Sequence, residues 1–156
     1  MRFSASIVRL AFAAVAGLGA AALAVSSALA AGPVVGWGYD ESGQATVPAS
    51  VGGGSGLGAS VAAGAFHSCA TVSGSEAVVC WGLDTVGQST PPASVDGTAG
   101  GASALAAGWL HSCAIQNSSS AVVCWGDNAS GKATPPAAVD GSLGTASAIS
   151  SSVNHT

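Results

Sequence analysis

The segment V-V-C-W-G-L-D-T-V-G-Q-S-T-P-P occupies residues 78–92. It returns 44 residues later at 122–136 as V-V-C-W-G-D-N-A-S-G-K-A-T-P-P, and it stands 44 residues earlier at 34–48 as V-V-G-W-G-Y-D-E-S-G-Q-A-T-V-P. A second shared segment, G-x-x-H-S-C-A, begins at Gly64 and again at Gly108. A fixed internal period of this length indicates a repeat architecture. The sequence therefore predicts units at 34–77, 78–121 and 122–156, about 2.8 repeats in all.

Short apolar runs separated by turn residues predict strands within each unit. In the second unit the runs are Val78–Gly82, a short segment at 88–90, Ser103–Ala107 and Leu110–Gln116, and the first unit begins with an equivalent run at Val34–Gly38. Four short strands in 40–50 residues match the size of a β-propeller blade. The predicted fold class is all-β: a partial β-propeller of about 2.8 blade-like repeats, too few to close a standard ring.

The N-terminal 30 residues have the pattern of a secretory signal peptide. Arg2 and Arg9 precede an apolar run from Leu10 to Val25, and Ala28-Leu29-Ala30 forms an Ala-x-Ala cleavage site before Ala31. An uncleaved membrane anchor is the alternative, because about 20 apolar residues can span a bilayer. We expect cleavage between Ala30 and Ala31, leaving a secreted domain, extracellular or periplasmic, at 31–156 with no stable membrane association.

The charge of the predicted mature chain excludes one class of partner. Of three basic residues only Lys132 remains beyond residue 30, against seven acidic residues, which gives a formal charge of −6 (1 − 7). Nucleic-acid binding draws its affinity from lysine and arginine side chains that neutralise phosphates. One lysine cannot supply that affinity, so we expect no nucleic-acid partner.

The four cysteines are spaced as two hairpin pairs. Cys69 and Cys80 flank a strand–turn–strand pattern around 73–76, and Cys113 and Cys124 flank an equivalent pattern around 117–120. Directly opposed strand residues have Cβ atoms close enough for a disulfide, and an oxidising compartment favours that bond. The sequence therefore predicts the disulfides Cys69–Cys80 and Cys113–Cys124.

A metal site is the alternative use of the same residues. His67, Cys69 and Cys80 form one set of three possible zinc ligands, and the next unit repeats the set. Known zinc motifs use a different cysteine spacing, so we predict no metal ligands and no cofactor. We expect the histidines to be structural, with imidazoles hydrogen-bonded to nearby backbone within their own blade.

Motifs for catalysis are weak or missing in this sequence. The stretch Gly126–Ala133 nearly matches the phosphate-binding loop G-x-x-x-x-G-K-[ST], but alanine replaces the magnesium-binding hydroxyl and prolines follow where a helix should begin. Repeated acids such as Asp40 and Asp84 are typical of turns rather than of a catalytic pair. We predict no catalytic residues and no enzymatic activity.

The motifs V-V-C-W-G, G-Q, T-P-P and A-A-G-x-x-H-S-C-A resemble the regulator of chromosome condensation repeat, closest to its secreted bacterial versions. The resemblance covers essentially the whole predicted mature chain. It implies a propeller, commonly of seven blades, and protein binding rather than catalysis. Known roles in the family are nucleotide exchange on a small GTPase and, in one secreted bacterial branch, β-lactamase inhibition.

The predicted function is therefore a secreted, non-catalytic protein-interaction module with an unknown protein partner. The alternatives are an enzyme inhibitor like the β-lactamase-inhibiting propellers, and a hydrolase or metal-dependent enzyme on a propeller scaffold. Because seven blades of this size exceed the chain, we expect a truncated piece of a longer propeller; a natural short form that oligomerises is the competing interpretation. We also expect self-association through exposed edge strands at Val34–Gly38 and before Thr156.

The four tryptophans are predicted to have two different roles. Trp37, Trp81 and Trp125 recur at the repeat spacing and are predicted to pack in the blade cores. Trp109 is not repeated, which makes it the candidate contact with a partner. We further expect partner choice to involve the loops that vary between units, Gly52–Ala59 with Gly97–Ala102 and Ser73–Glu76 with Asn117–Ser120.

Overall fold

The structure is a computed structural model that describes residues 31–156. The predicted signal peptide at 1–30 lies outside the described residues. Six strands form two antiparallel three-stranded sheets in the orders β1-β2-β3 and β4-β5-β6. The strands are β1 Gly58–Ala63, β2 His67–Val72, β3 Val78–Gly82, β4 Ala102–Ala107, β5 His111–Gln116 and β6 Val122–Gly126. Within 31–156 the only helical element is a 3₁₀ turn at Ala129–Gly131, and these residues contain no helix that is long and apolar enough to cross a membrane.

Each sheet joins two strands of one repeat unit to the first strand of the next. In the first sheet β1 and β2 come from unit 34–77 and β3 from unit 78–121, and the second sheet follows the same rule. The β2–β3 hairpin aligns Cys69 with Cys80, and the β5–β6 hairpin aligns Cys113 with Cys124. The 44-residue period therefore determines which strands recur in each sheet, but a sheet does not begin and end where a sequence unit does.

Three predicted strand segments are absent, which corrects the sequence analysis. The segment at 88–90 is a turn, because Asp84 accepts hydrogen bonds from the Ser89 backbone N–H (2.7 Å) and from Thr90 Oγ1 (2.7 Å) and folds the chain back. Neither Val34–Gly38 nor the residues before Thr156 form a strand. The hairpin partner of 34–38 would fall 44 residues before β2, at 23–28, outside the described residues. The predicted exposed edge strands are therefore not present in the described chain.

The two sheets pack against each other through one apolar cluster. Its buried members come from both sheets and from the loop between them: Cys69, Val78, Val95, Ala102, Ala114 and Trp125. Cys80, Leu105 and Val123 pack on this cluster from its margin. This contact orders the sheets as neighbouring blades.

The glycine of each G-x-x-H segment is required by a close approach. A Cβ at Gly64 would lie 2.4 Å from Cε1 of His67, and a Cβ at Gly108 would lie 2.1 Å from Cε1 of His111. Both distances are below any real Cβ contact, so only glycine lets the imidazole fold over the turn. Each glycine N–H also donates to the carbonyl of its histidine at 2.9 Å.

The strand ends divide the loops between two rims. The turns after β1 and β4, which contain Gly64 and Gly108, lie at the end that we call the Trp109 rim. The β2–β3 and β5–β6 turns lie at the opposite end, the hairpin rim. Only loops at the same rim can therefore contact one partner surface together.

Candidate functional site

The most buried polar groups lie at a junction between the two sheets. The Ser112 hydroxyl donates to the Gln88 carbonyl at 3.0 Å, and Trp125 Nε1 donates to the same carbonyl at 3.0 Å. His67 Nε2 of the first sheet lies 2.8 Å from Ser112 Oγ. We call these four residues the Gln88 junction. It connects two repeat units through side chains rather than through strand pairing.

The hydrogen bonds of the junction fix the tautomer of its histidine. Because Ser112 uses its one proton toward Gln88, His67 must donate from Nε2, which leaves Nδ1 unprotonated. His67 Nδ1 is buried and has no hydrogen-bond partner among the described residues. Burial lowers the pKa of His67 to about 4, with a smaller contribution in the same direction from His111. The ring is therefore a neutral donor at pH 7, and its geometry is not that of a base that activates the serine.

The equivalent groups recur with partners that differ. His111 Nε2 lies 2.9 Å from Thr156 Oγ1, because Thr156 occupies the position that Ser112 has one unit earlier. At the first unit, Ser68 and Trp81 donate to the Gln44 carbonyl at 3.0 and 2.9 Å. We call this set the Gln44 junction.

The structure therefore corrects the expected partners of the histidines. The imidazoles were expected to bond to backbone within the same blade. They instead join a side-chain hydroxyl one repeat further on, because the missing Cβ of the preceding glycine lets the ring turn toward the neighbouring sheet.

The repeated acids hold turns in place. Asp40 accepts from the Ala45 backbone N–H (2.6 Å) and Thr46 Oγ1 (2.6 Å), just as Asp84 does one unit later. These hydrogen bonds lower the pKa of Asp40, which keeps it ionised. Asp96 accepts from the Thr98 backbone N–H at 2.8 Å in a separate turn. Each of these carboxylates is occupied by its own loop.

The cysteines form the two hairpin pairs. Cys69 Sγ lies 2.05 Å from Cys80 Sγ, and Cys113 Sγ lies 2.03 Å from Cys124 Sγ. Both bonds close across directly opposed strand residues, the register expected from the spacing. Within residues 31–156, no group of three or more histidine, cysteine or acidic side chains is placed to hold a metal ion.

The single lysine at 31–156 is also occupied. Lys132 Nζ lies 2.6 Å from Asp127 Oδ2, and the lysine side chain is largely buried. Only one 3₁₀ turn stands in the G-x-x-x-x-G-K segment, and no helix follows it. The lysine therefore supports the loop that glutamine supports in the other units.

The exposed side chain that departs most from the repeat is Trp109. It is 47% exposed, and Ala65 and Val153 stand at the equivalent positions one unit before and after it. The three successive turns border a shallow, open pocket of about 450 Å³. Its lining is small or apolar: Ala63, Gly64, Ala65, Ala107, Gly108, Trp109, Ser152 and Val153.

The structure separates this pocket from the other loops that the sequence analysis grouped with it. The turns at 73–76 and 117–120, and the loops before β1 and β4, lie at the hairpin rim. Trp109 lies at the opposite end of the strands. These predicted contact regions cannot form one continuous surface around Trp109.

A second exposed apolar surface was missed because three of its four residues follow the repeat, although the fourth, Tyr39, aligns with Leu83 and Asp127. Trp37 was predicted to lie in a blade core, yet it is 84% exposed, whereas Trp125 is only 8% exposed. Val35, Tyr39 and Val61 are exposed beside it. We call these four residues the outer face. The repeat concealed it, since the pattern shows which residues are alike but not which are covered.

Residues 59–88 match the Regulator of chromosome condensation (RCC1) repeat. No curated protein gives a significant match. Among solved structures, the ectodomain of the Physcomitrella patens receptor kinase CR4 is 21% identical with a TM-score of 0.54, over 76% of this chain and 28% of that one. The CRINKLY WD40 ectodomain of the Arabidopsis thaliana receptor kinase ACR4 is 30% identical with a TM-score of 0.39, over 52% of this chain and 26% of that one.

The chain thus spans little more than a quarter of either ectodomain. The likeness to the CR4 ectodomain shows the fold alone, and it agrees with the all-β sheets described above. The second sheet repeats the first in strand order and in strand register. The sequence-based prediction of the fold is therefore confirmed as a partial β-propeller, and residues 59–88 are similar to the regulator of chromosome condensation repeat.

Proposed function

We propose that this protein is a secreted, non-catalytic protein-interaction module that binds its partner at the Trp109 pocket. The observation that carries the proposal is a large aromatic side chain, half exposed, at a position where the neighbouring repeats have alanine and valine. Residues that only hold a blade together should repeat, whereas residues that select a partner need not. Tryptophan is also among the residues that contribute most binding energy at interfaces.

The pocket favours an apolar side chain from the partner. The residues that line it carry no charge, and its polar groups are backbone amides and Ser152. An apolar patch that holds an aromatic side chain and no charge is typical of the core of a protein–protein interface. We infer that the partner inserts an aliphatic or aromatic side chain beside the Trp109 indole.

The state of the polar groups supports a non-catalytic role. His67 donates to the Ser112 hydroxyl, the Asp40 and Asp84 carboxylates close their own loops, and Lys132 is paired with Asp127. Each of these groups has a structural partner, which leaves none of them poised as a free nucleophile, acid or base.

Secretion is supported by the two cysteine pairs and by the signal pattern in the sequence. Disulfides persist in oxidising compartments. Secreted protein should begin at Ala31, and the intact mass of protein recovered from the periplasm or medium tests this point. We also propose that the two blades belong to a larger ring, since propellers typically close with four to eight blades.

The binding proposal is tested by substitution in a matched pair. Peptides selected against the purified protein from a displayed library provide the ligand, and titration gives the dissociation constant. Trp109→Ala should weaken binding about tenfold, roughly 1.4 kcal/mol, with an unchanged melting curve.

Trp37→Ala is the control, because it removes an even more exposed indole from a different surface. Equal binding by the wild type and by Trp109→Ala would refute the proposed site. Loss of binding in the Trp37→Ala variant alone would place the site on the outer face instead.

A further inference from the structure

The outer face exposes side chains whose equivalents are partly or fully covered one repeat later. Val61 of the outer face is 62% exposed, whereas Leu105, its equivalent in β4, packs on the apolar cluster between the sheets. The same holds for Trp37, whose equivalents donate from Nε1 to the Gln44 and Gln88 carbonyls. The difference lies in the neighbour and not in the residues.

The structure also shows what covers such a face. The face of the second sheet that carries Leu105, Ser112 and Trp125 is covered by the first sheet, which supplies His67 and the Cys69–Cys80 pair. The first sheet presents the equivalent face, with Val61, outward. A surface of this shape therefore accepts another blade of the same repeat.

The polar groups at the two ends of the molecule are complementary. Ser112 and Thr156 each lie within hydrogen-bond distance of a histidine one unit earlier, but Ser68 has no such histidine. The residue 44 positions before His67 is Leu23, which cannot donate a hydrogen bond from its side chain. At the other end His155, the next histidine of the series, is exposed. One end thus has an acceptor without its donor, and the other has the donor.

The small residues beside His155 continue the pattern. Ala148 and Ser150 are exposed and stand at the positions that Ser60 and Ala62 have in β1, on the sheet that covers Leu105. In the existing contact, β4, which carries Leu105, packs beside β1, whose residues are mostly small. The segment 148–155 offers the same kind of surface to a large apolar face.

We propose that the outer face binds a second copy of this chain head to tail, with His155 of one copy at Ser68 of the other. The contact repeats the packing between the two sheets, and it uses sheet faces rather than strand edges. The outer face shares no residue with the Trp109 pocket, whereas the opposing segment 148–155 includes Ser152 and Val153 of the lining of that pocket. A head-to-tail contact is heterologous, so it builds a ring if the rotation closes.

Sedimentation velocity of the secreted protein over a wide concentration range tests the contact. The wild type should associate, and Trp37→Ser and Val61→Ser should each raise the dissociation constant at least tenfold. Trp109→Ser is the matched control and should associate like the wild type. A monomer at every concentration overturns the proposal. The intact mass then distinguishes a bare outer face from one that is covered by retained residues 1–30.

The direction of the contact is tested by mixing two cysteine variants, Ser68→Cys and His155→Cys. Non-reduced peptide masses first establish that Cys69–Cys80 and Cys113–Cys124 are retained. A histidine that reaches a serine through Nε2 holds the two Cβ atoms too far apart for a direct disulfide, so the thiols are joined with a short bis-maleimide; head-to-tail packing predicts cross-linked dimers in the mixture and none in either variant alone. Dimers formed by Ser68→Cys alone would instead show a head-to-head contact and overturn the proposed geometry.

Discussion

The Gln44 and Gln88 junctions have the same residue types at the same spacing, yet they differ in burial and in hydrogen bonding. In both, a serine and a tryptophan donate to a glutamine carbonyl. Only the Gln88 junction also receives a histidine from a preceding sheet, and Gln88 is fully buried while Gln44 is half-buried. Equivalent residues in two repeats can therefore form the same hydrogen bonds, while their burial and their contribution to stability depend on whether a neighbouring blade covers them.

The largest expected effect of a covering blade is on tryptophans at equivalent positions. Trp125 is covered by the first sheet, whereas Trp37 is exposed. Trp125→Ala should destabilise the protein by about 3–5 kcal/mol, because it empties a site in the cluster between the sheets and removes the donor to Gln88. Trp37→Ala should change stability by no more than about 0.5 kcal/mol, since the side chain is exposed. Urea unfolding of both variants, at a concentration where the wild type is monomeric, gives the two values.

Equal losses in the two variants would contradict the comparison and would mean that Trp37 is covered in solution. If Trp125→Ala does not fold, Trp125→Phe serves in its place. It keeps most of the ring volume and removes the Nε1 donor, so a smaller loss is expected, still larger than that of Trp37→Phe.

Much of the fold was accessible from the sequence because local patterns determine it. The hairpin symmetry around 73–76 predicts the register that aligns Cys69 with Cys80, and the 44-residue period carries that register to the second sheet. The strands at 78–82, 103–107 and 110–116 were predicted within one residue of their observed ends. The error at 88–90 arose because Asp84 captures the backbone that the pattern assigned to a strand.

The burial and the contacts of each repeat could not be predicted from the sequence in the same way. No local pattern distinguishes Trp37 from Trp125, because burial depends on whether another sheet packs on that side. The bond from His67 to Ser112 joins residues 45 positions apart, and only the packing of the sheets brings them together. Trp109 could be singled out because it breaks the repeat, but the pocket formed by three successive turns required the structure.

The next effect concerns pH and the histidine that distinguishes the two junctions. Burial lowers the pKa of His67 to about 4 from 6.5, so the folded protein favours the neutral ring. The stabilising contribution of the neutral His67 is fully present above pH 6.5. It is lost as the pH drops toward 4, because the unfolded chain then takes up a proton that the folded chain does not. The loss from His67 is at most about 3 kcal/mol, and unfolding midpoints measured from pH 7.5 to 4 test it.

One variant separates this effect from other titrations. His67→Gln keeps a donor toward Ser112 but does not titrate, so it should reduce the loss of stability between pH 6.5 and 4. The loss that remains includes the contribution of His111, whose pKa burial also lowers. The pKa of Asp40 is already lowered from 3.8, so that carboxylate acts below this window. A wild-type profile that is flat from pH 7 to 4 would contradict the neutral, buried state of His67.

The smallest effect compares the serines of the two junctions. Ser112→Ala removes the acceptor for His67 and one donor to Gln88, which leaves a buried imidazole N–H without its partner. An unsatisfied buried donor costs about 1–3 kcal/mol. Ser68→Ala removes only a donor, and the Gln44 carbonyl keeps its bond from Trp81, so the expected loss is about 0.5–1 kcal/mol. In the double variant Ser112→Ala/His67→Phe, the buried donor is gone, and much of the loss should be recovered if the phenyl ring fits over Gly64. Equal losses for Ser112→Ala and Ser68→Ala would mean that the histidine contributes nothing to the Gln88 junction, and that the two junctions differ in burial alone.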